Sequence, residues 1–293
     1  MRALTHHQRP LRYTMHLFVD NLTNVDFSYL DSKRGLVGET WLASIVLEGA
    51  LDEQGMVCDF GIVKKQLRQW LDQHIDHCLL VPSDTPDIQI QSSPHEITID
   101  WIYGSDQHLN CRSPSSAITL IDSQHITPES VATWCIEQLR ALLPESIDHI
   151  RLSFACEPID GPYYHYSHGL KKHEGNCQRI AHGHRSRLYI YKDDQRDIEL
   201  EQQWCQQWQD IYIGNKTDIV TICGLRSYHF AYEAQQGCFE LTLPQNNCYL
   251  IDTDTTVEFI AQHIANTLKA QHPENHFRVK AFEGIAKGAI ASA

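Results

Sequence analysis

The chain has 293 residues, 42% of them hydrophobic and 21% charged, with a formal net charge of −13. That length suggests about two domains of ordinary size, each able to bury a core. The acidic balance argues against a general nucleic-acid binder, which needs many Lys and Arg to displace counterions, and no apolar run approaches the roughly 18 residues of a membrane helix.

The first 14 residues have no apolar core after their basic residues, so they do not read as a secretory leader. They read as a disordered extension or a start-site artefact, and Met15 opens a strand, "MHLFV". Ten cysteines with no CxxC pair and no export leader read as reduced thiols in the cytoplasm, most of them core fillers. "MHLFVDNLTNVDF" and "TWLASIVLEG" carry the β-branched and aromatic residues of strands. A helix is predicted after Asp59, because Val63, Leu67, Trp70, Leu71 and Ile75 fall at helical spacing. Residues 88–120 look like a hairpin-rich insertion. A second helix starts at Thr127, a good N-cap, with Pro128 in the first turn and Val131, Trp134, Cys135, Leu139 and Leu142 on one face. "IRLSFACE" is then a strand ending at Glu157.

The second half echoes the first. "CYLIDTDTTVEFIAQHIANTL" repeats "ITLIDSQHITPESVATWCIEQL", with Val257, Ile260, Ile264 and Leu268 on one helical face, and "FRVKAFE" is a strand ending at Glu283. Residues 226–250 hold the second insertion. The pattern is α+β, two copies of one antiparallel sheet with two helices on one face. The expected boundaries are 1–14 for the extension, 15–160 for the first module and 161–293 for the second.

The chemistry concentrates in "YYHYSHGLKKHEGNCQRIAHGHRSRLYIY". Residues i and i+2 of a strand share a face, so His182 and His184 can reach one ion. His168, at the end of the preceding strand, supplies a third ligand of the kind a catalytic zinc site requires. His165 and His173 are less well placed competitors. Cys177 lies among Lys171, Lys172, Arg179, Arg185 and Arg187, and cationic neighbours favour a thiolate. The same charges suit a phosphorylated ligand; the plain alternative is a solvated basic loop.

The stretch "SHGLKKHEGNCQRIAHGH" resembles the signature of the 6-pyruvoyl-tetrahydropterin synthase and 6-carboxytetrahydropterin synthase family. "GALDEQGMVCDF", "HIDHCLL" and "ITPESVA", in the other half, match the later pieces of that pattern. The departures are complementary. In the first half Val37 and Glu39 stand in place of the two histidines, with Tyr29 or Leu30 in place of the first-strand ligand, so that module is expected to hold no zinc. In the second half the Asp-His segment reads "WQDIYI", with Asp210 kept and Ile211 in place of the histidine.

The resemblance implies two tandem tunnelling-fold modules that close into an oligomeric β-barrel, as a dimer or trimer of two-module chains, with sites between modules. It implies Zn²⁺ on His168, His182 and His184, proton transfer by Cys177 with Asp76 and His77, and ring recognition by Glu283. It implies a pterin triphosphate, 7,8-dihydroneopterin triphosphate, as substrate, with Arg179 and Lys171 near its phosphates. Glu157 is either the counterpart of Glu283 in a second, metal-free site or an acidic end to an edge strand. The expected product is 6-carboxy-5,6,7,8-tetrahydropterin. The alternatives are triphosphate elimination of the pyruvoyl type and a non-catalytic pterin- or purine-binding role.

Overall fold

The computed structural model describes residues 14–223 and 226–293; the expected N-terminal extension lies outside them except for Thr14, which already belongs to the first strand. The first half contains β1 (Thr14–Asp31), β2 (Gly35–Ala50), α1 (Phe60–His74), β3 (Leu79–Pro82), β4 (Ile88–Ser92), β5 (Glu96–Tyr103), β6 (Gln107–Pro114), β7 (Ile118–Ile121), α2 (Pro128–Leu139) and β8 (Ile147–Cys156). The second half contains β9 (Tyr163–His168), β10 (His182–Lys192), β11 (Gln195–Arg196), α3 (Ile198–Gln207), β12 (Ile211–Asn215) and β13 (Ile219–Cys223). It continues with β14 (Ser227–Ala234), β15 (Gly237–Pro244), β16 (Cys248–Ile251), α4 (Val257–Gln271), β17 (Phe277–Phe282) and β18 (Gly288–Ser292). The protein is mixed α+β, rich in strands and with few helices.

Three sheets organise these elements. The first runs β7-β3-β1-β2-β8 and the second β16-β12-β9-β10-β17-β18. Strand for strand the two share one topology: an antiparallel hairpin, β1–β2 or β9–β10, flanked by two parallel strands on one side and an antiparallel strand on the other. Each sheet buries one face under its helices. Val63, Leu67, Trp70 and Leu71 of α1 and Val131, Cys135 and Leu139 of α2 close the first core. Val257, Ile260, Ile264 and Leu268 of α4 and Trp204 and Cys205 of α3 close the second. Burying each such large side chain stabilises the fold by about 1.5–3 kcal/mol.

The caps follow local chemistry. Asp59 accepts from Ile62 N at the start of α1, and Thr127 with Ser130 forms a capping box ahead of Pro128. Leu142 departs from expectation. α2 ends at Leu139, a 3₁₀ turn follows, and Leu142 is 57% exposed because that turn rotates it off the buried stripe.

The third sheet, β13-β14-β15-β6-β5-β4, joins the insertions of both halves through the β6–β15 pair. Ile99, Trp101, Leu109 and Cys111 of one insertion and Phe230, Phe239 and Leu241 of the other pack over Leu79 and Ile118 from the first sheet and Tyr212 from the second. The insertions therefore clamp the halves together.

The two hairpins cross at Gly38 and Gly183. A Cβ on Gly38 would lie 1.8 Å from the carbonyl oxygen of Tyr166, and one on Gly183 would lie 2.7 Å from Gly38 Cα. Only glycine allows that approach. Beside it, the hydroxyls of Ser28 and Ser167, which occupy matching register positions opposite Gly38 and Gly183, meet at 2.7 Å. The crossing is a local pseudo-twofold axis, and it carries polar residues of each half into reach of the other.

Candidate active site and metal centre

β9 and β10 pair antiparallel with His168 opposite His182 and Tyr166 opposite His184. The strand period therefore gathers three imidazoles on one side, and their ligand atoms lie within 4.8 Å of one another, all fully buried. Among the described residues this is the one group of three or more His, Cys, Asp or Glu side chains drawn so close.

The outer ring nitrogens decide what the inner ones can do. His168 Nδ1 faces the carbonyl of Thr255 at 2.9 Å, His182 Nδ1 faces the carbonyl of Arg179 at 2.8 Å, and His184 Nδ1 faces Asp26 Oδ1 at 3.2 Å. An imidazole that donates from Nδ1 keeps a lone pair on Nε2. His168 and His182 thus turn Nε2 lone pairs to one point, where His184 Nε2 lies 3.2 Å from His168 Nε2. Burial, then the neighbouring imidazoles, hold His168 and His182 well below the usual histidine range, so both stay neutral. This donor set fits a divalent zinc-type ion with an open fourth position.

The first half supplies the rest of the site. After α1 the chain turns at His77, a left-handed residue with φ 55°, and the side chain comes to rest against the centre. Its ring centroid lies 4.9 Å from that of His182 and 6.4 Å from that of His184. Asp76 Oδ2 lies 2.6 Å from His77 Nδ1, and the Cys177 thiol is within hydrogen-bonding reach of the same ring. Burial pulls the His77 pKa down, but Asp76 and Cys177 outweigh it and hold the ring at about 10.

Cys177 is half-buried in a short 3₁₀ turn whose pins come from elsewhere in the fold. Asn176 donates to Asp72 O at 3.2 Å, Tyr232 donates to Gln178 O at 2.8 Å, and Gln236 N donates to Gln178 Oε1 at 2.7 Å. The second insertion thus holds the cysteine turn in place. Glu283 follows β17, with Oε1 4.0 Å from His184 Nε2 and Oε2 3.8 Å from Lys287 Nζ.

The structure brings together Asp76, His77, His168, Cys177, His182, His184 and Glu283. It does not present the basic stretch as an open cationic surface. Lys171 is paired with Asp218. Arg179 is buried and donates to Cys78 Sγ at 3.0 Å and Gln236 Oε1 at 3.2 Å. Arg187 pairs with Glu157 at 2.8 Å, and Arg185 holds the Glu157 carbonyl at 2.7 Å. Glu157 is thereby engaged within the chain, away from the three histidines.

At the matching place across the pseudo-twofold the described residues assemble no second group of this kind. The register puts Tyr29, Val37 and Glu39 where the other half has His168, His182 and His184. It also revises one correspondence. Leu79 lies beside Ser28 and Tyr212 beside Ser167, so Asp210, not Ile211, occupies the place of His77; its φ of 57° matches. Arg34 reaches into this second centre, 2.8 Å from Asp210 Oδ2 and 3.2 Å from the Tyr29 hydroxyl. A tethered cation stands where the other centre gathers three imidazoles.

The residues not foreseen are Asp26, Thr255, Gln178 and Lys287. Only Asp26 left a trace in the sequence, as a carboxylate inside the apolar run "NVDFSYL".

The fold and the site define a strand-rich α+β protein whose buried three-histidine group adjoins an aspartate, a histidine and a cysteine. Residues 22–157 match the model of the family described as 6-pyruvoyl tetrahydropterin synthase. The matched half is the one that brings Asp76 and His77 and lacks the three histidines. Among solved structures, the chain is similar to the 6-pyruvoyl tetrahydropterin synthase of Plasmodium vivax, at 19% identity over 50% of this chain and 94% of that one, with a TM-score of 0.41. It is also similar to the Plasmodium falciparum 6-pyruvoyl tetrahydropterin synthase, at 18% identity over 48% and 91%, with a TM-score of 0.39. None of the curated proteins matches.

Proposed function

We propose that the protein is a zinc-dependent lyase of pterin triphosphates, built from two tunnelling-fold modules, 15–160 and 161–293, that share one active site. The observation that carries this reading is the convergence, in one chain, of three buried imidazole nitrogens with the Asp76–His77–Cys177 series. The common topology of the first and second sheets supports the two modules.

His168, His182 and His184 would hold Zn²⁺, which supplies Lewis acidity toward a substrate hydroxyl or carbonyl. Cys177 exchanges a proton with the substrate side chain. His77 carries that proton, and Asp76 fixes the ring and stabilises its charged form. Glu283, at the rim of the centre, accepts hydrogen bonds from ring N–H groups of the pterin. The buried walls exclude bulk water, which strengthens each of these interactions.

The substrate is 7,8-dihydroneopterin triphosphate and the favoured product 6-carboxy-5,6,7,8-tetrahydropterin, released with acetaldehyde and triphosphate. One water enters. The ring is reduced as the side-chain carbon reaches the carboxyl level, so the reaction needs no outside oxidant. Modules of this kind close barrels by edge pairing, and a homo-oligomer of two-module chains completes them.

The test is anaerobic incubation of zinc-loaded protein with 7,8-dihydroneopterin triphosphate, followed by mass spectrometry. The carboxylated pterin with acetaldehyde establishes the proposed reaction. A pyruvoyl product keeps the site and changes the subtype. No turnover by fully loaded protein rejects this substrate and leaves a binding role.

A further inference from the structure

We propose that Asp26 is a positioning residue that couples the proton-relay pair of one half to a metal ligand of the other; this rests on the metal reading of the three-histidine centre. Every polar group of Asp26 is committed to the site. Its backbone N donates to Asp76 Oδ1 at 2.7 Å, and its backbone oxygen accepts from His77 N at 2.6 Å. Its side chain lies 3.2 Å from His184 Nδ1, accepts from Thr40 Oγ1 at 2.6 Å and lies 3.1 Å from Lys287 Nζ. One residue of β1 therefore fixes where Asp76 and His77 sit and which nitrogen of His184 carries the proton.

Asp26 is 1% exposed, and its Oδ1 lies 2.4 Å from where a Cβ on Gly284 would stand, so only glycine leaves it that space. His184 Nδ1 is buried and has no other partner among the described residues. Its N–H is not aimed well at the oxygen 3.2 Å away. With Nδ1 protonated, His184 must present Nε2 toward His168 and His182.

The second centre provides the contrast. At the position of Asp26 it has His165, and at the position of His184 it has Glu39, so the same carboxylate–imidazole pair recurs with its members exchanged, at 3.9 Å. There His165 Nδ1 donates instead to Gly38 O at 2.7 Å, and no ligand set forms. The crossing alone thus brings an acid and an imidazole together; only Asp26 turns that contact toward a ligand.

The experiment compares wild type, Asp26→Asn and, as a control, Glu39→Gln. The tautomer of His184 is read in the metal-free proteins by ¹⁵N NMR, and zinc affinity by competition with a chromophoric chelator. Wild type should show the Nδ1–H tautomer of His184. Asp26→Asn should lose its predominance and bind zinc about 10–100-fold more weakly, while Glu39→Gln changes neither. A wild type with His184 protonated on Nε2 overturns the proposal, even if the variant does not fold. So does a folded Asp26→Asn with zinc affinity within threefold of wild type, or an equal loss in Glu39→Gln. A wild type with the Nδ1–H tautomer, lost in Asp26→Asn, but no zinc binding upholds the hold of Asp26 on His184 and sinks the metal reading alone.

Discussion

Gly38 and Gly183 face each other so closely that a Cβ on the second would lie 2.7 Å from Cα of the first. The obstacle is backbone, which cannot swing aside as a side chain can. Gly38→Ala and Gly183→Ala should each destabilise the protein by about 3 kcal/mol or more. Because the crossing also aligns Asp26 with His184, zinc affinity should fall together with the unfolding midpoint. Urea unfolding and zinc titration of the same samples check this; a variant with wild-type stability would show that the hairpins do not cross there.

One zinc per chain is expected, not two, since the second centre has Tyr29, Val37 and Glu39 at the ligand positions. An ion that binds only the folded state at 100 times its Kd adds about 2.7 kcal/mol. Chelation should therefore lower Tm. His184→Ala should abolish both the metal content and that shift, as read by elemental analysis and calorimetry.

Cys177→Ala and His77→Ala remove proton carriers and leave the three ligands in place. Turnover of the pterin triphosphate should fall by about 10²–10⁴ while zinc content stays at one per chain. A double variant should be little worse than either single one, because the two groups act as a unit. Steady-state kinetics on zinc-quantified samples measures both statements.

Glu39 and His165 should pull the stability profile in opposite directions. Burial, opposed by Thr40 N, Arg185 and Arg34, raises Glu39 to about 7, so its contribution is present below its unfolded value and lost as pH rises through 7. Burial and Arg34 lower His165 to about 4, so its contribution is present above its unfolded value and lost as pH falls toward 4. The two contributions oppose each other between roughly pH 4.5 and 6.5. Glu39→Gln should unmask a rise in stability from pH 4 to 6.5, and His165→Gln a fall from pH 4.5 to 7, in chemical unfolding across that range.

Local patterns read well from the sequence. His182 and His184 share a face because a strand has period two, and the capped starts of α1 and α2 follow from Asp59 and Thr127. α3 went unlocated, although Asp197 caps a run of good helix formers. What depends on distant pairing was not legible. The partner of Asp26 is 158 positions away, and the place of Asp210 follows only from how β12 lies beside β9. The cations around Cys177 read as a phosphate-binding surface because their acidic partners, Asp218 and Asp254 among them, lie far along the chain.

The Arg34–Asp210 contact shows what the covalent joining of the halves allows. In an assembly of identical single modules, any substitution appears at every interface at once, so a residue that closes one site closes all of them. Here each half meets its neighbour with a different surface at each centre. An arginine can fill one centre permanently while the other stays open. The tether also turns encounter of the halves into an intramolecular event, so the three-histidine site keeps its composition on dilution. Asymmetry of this kind is accessible to two unlike halves in one chain and closed to a single repeated module.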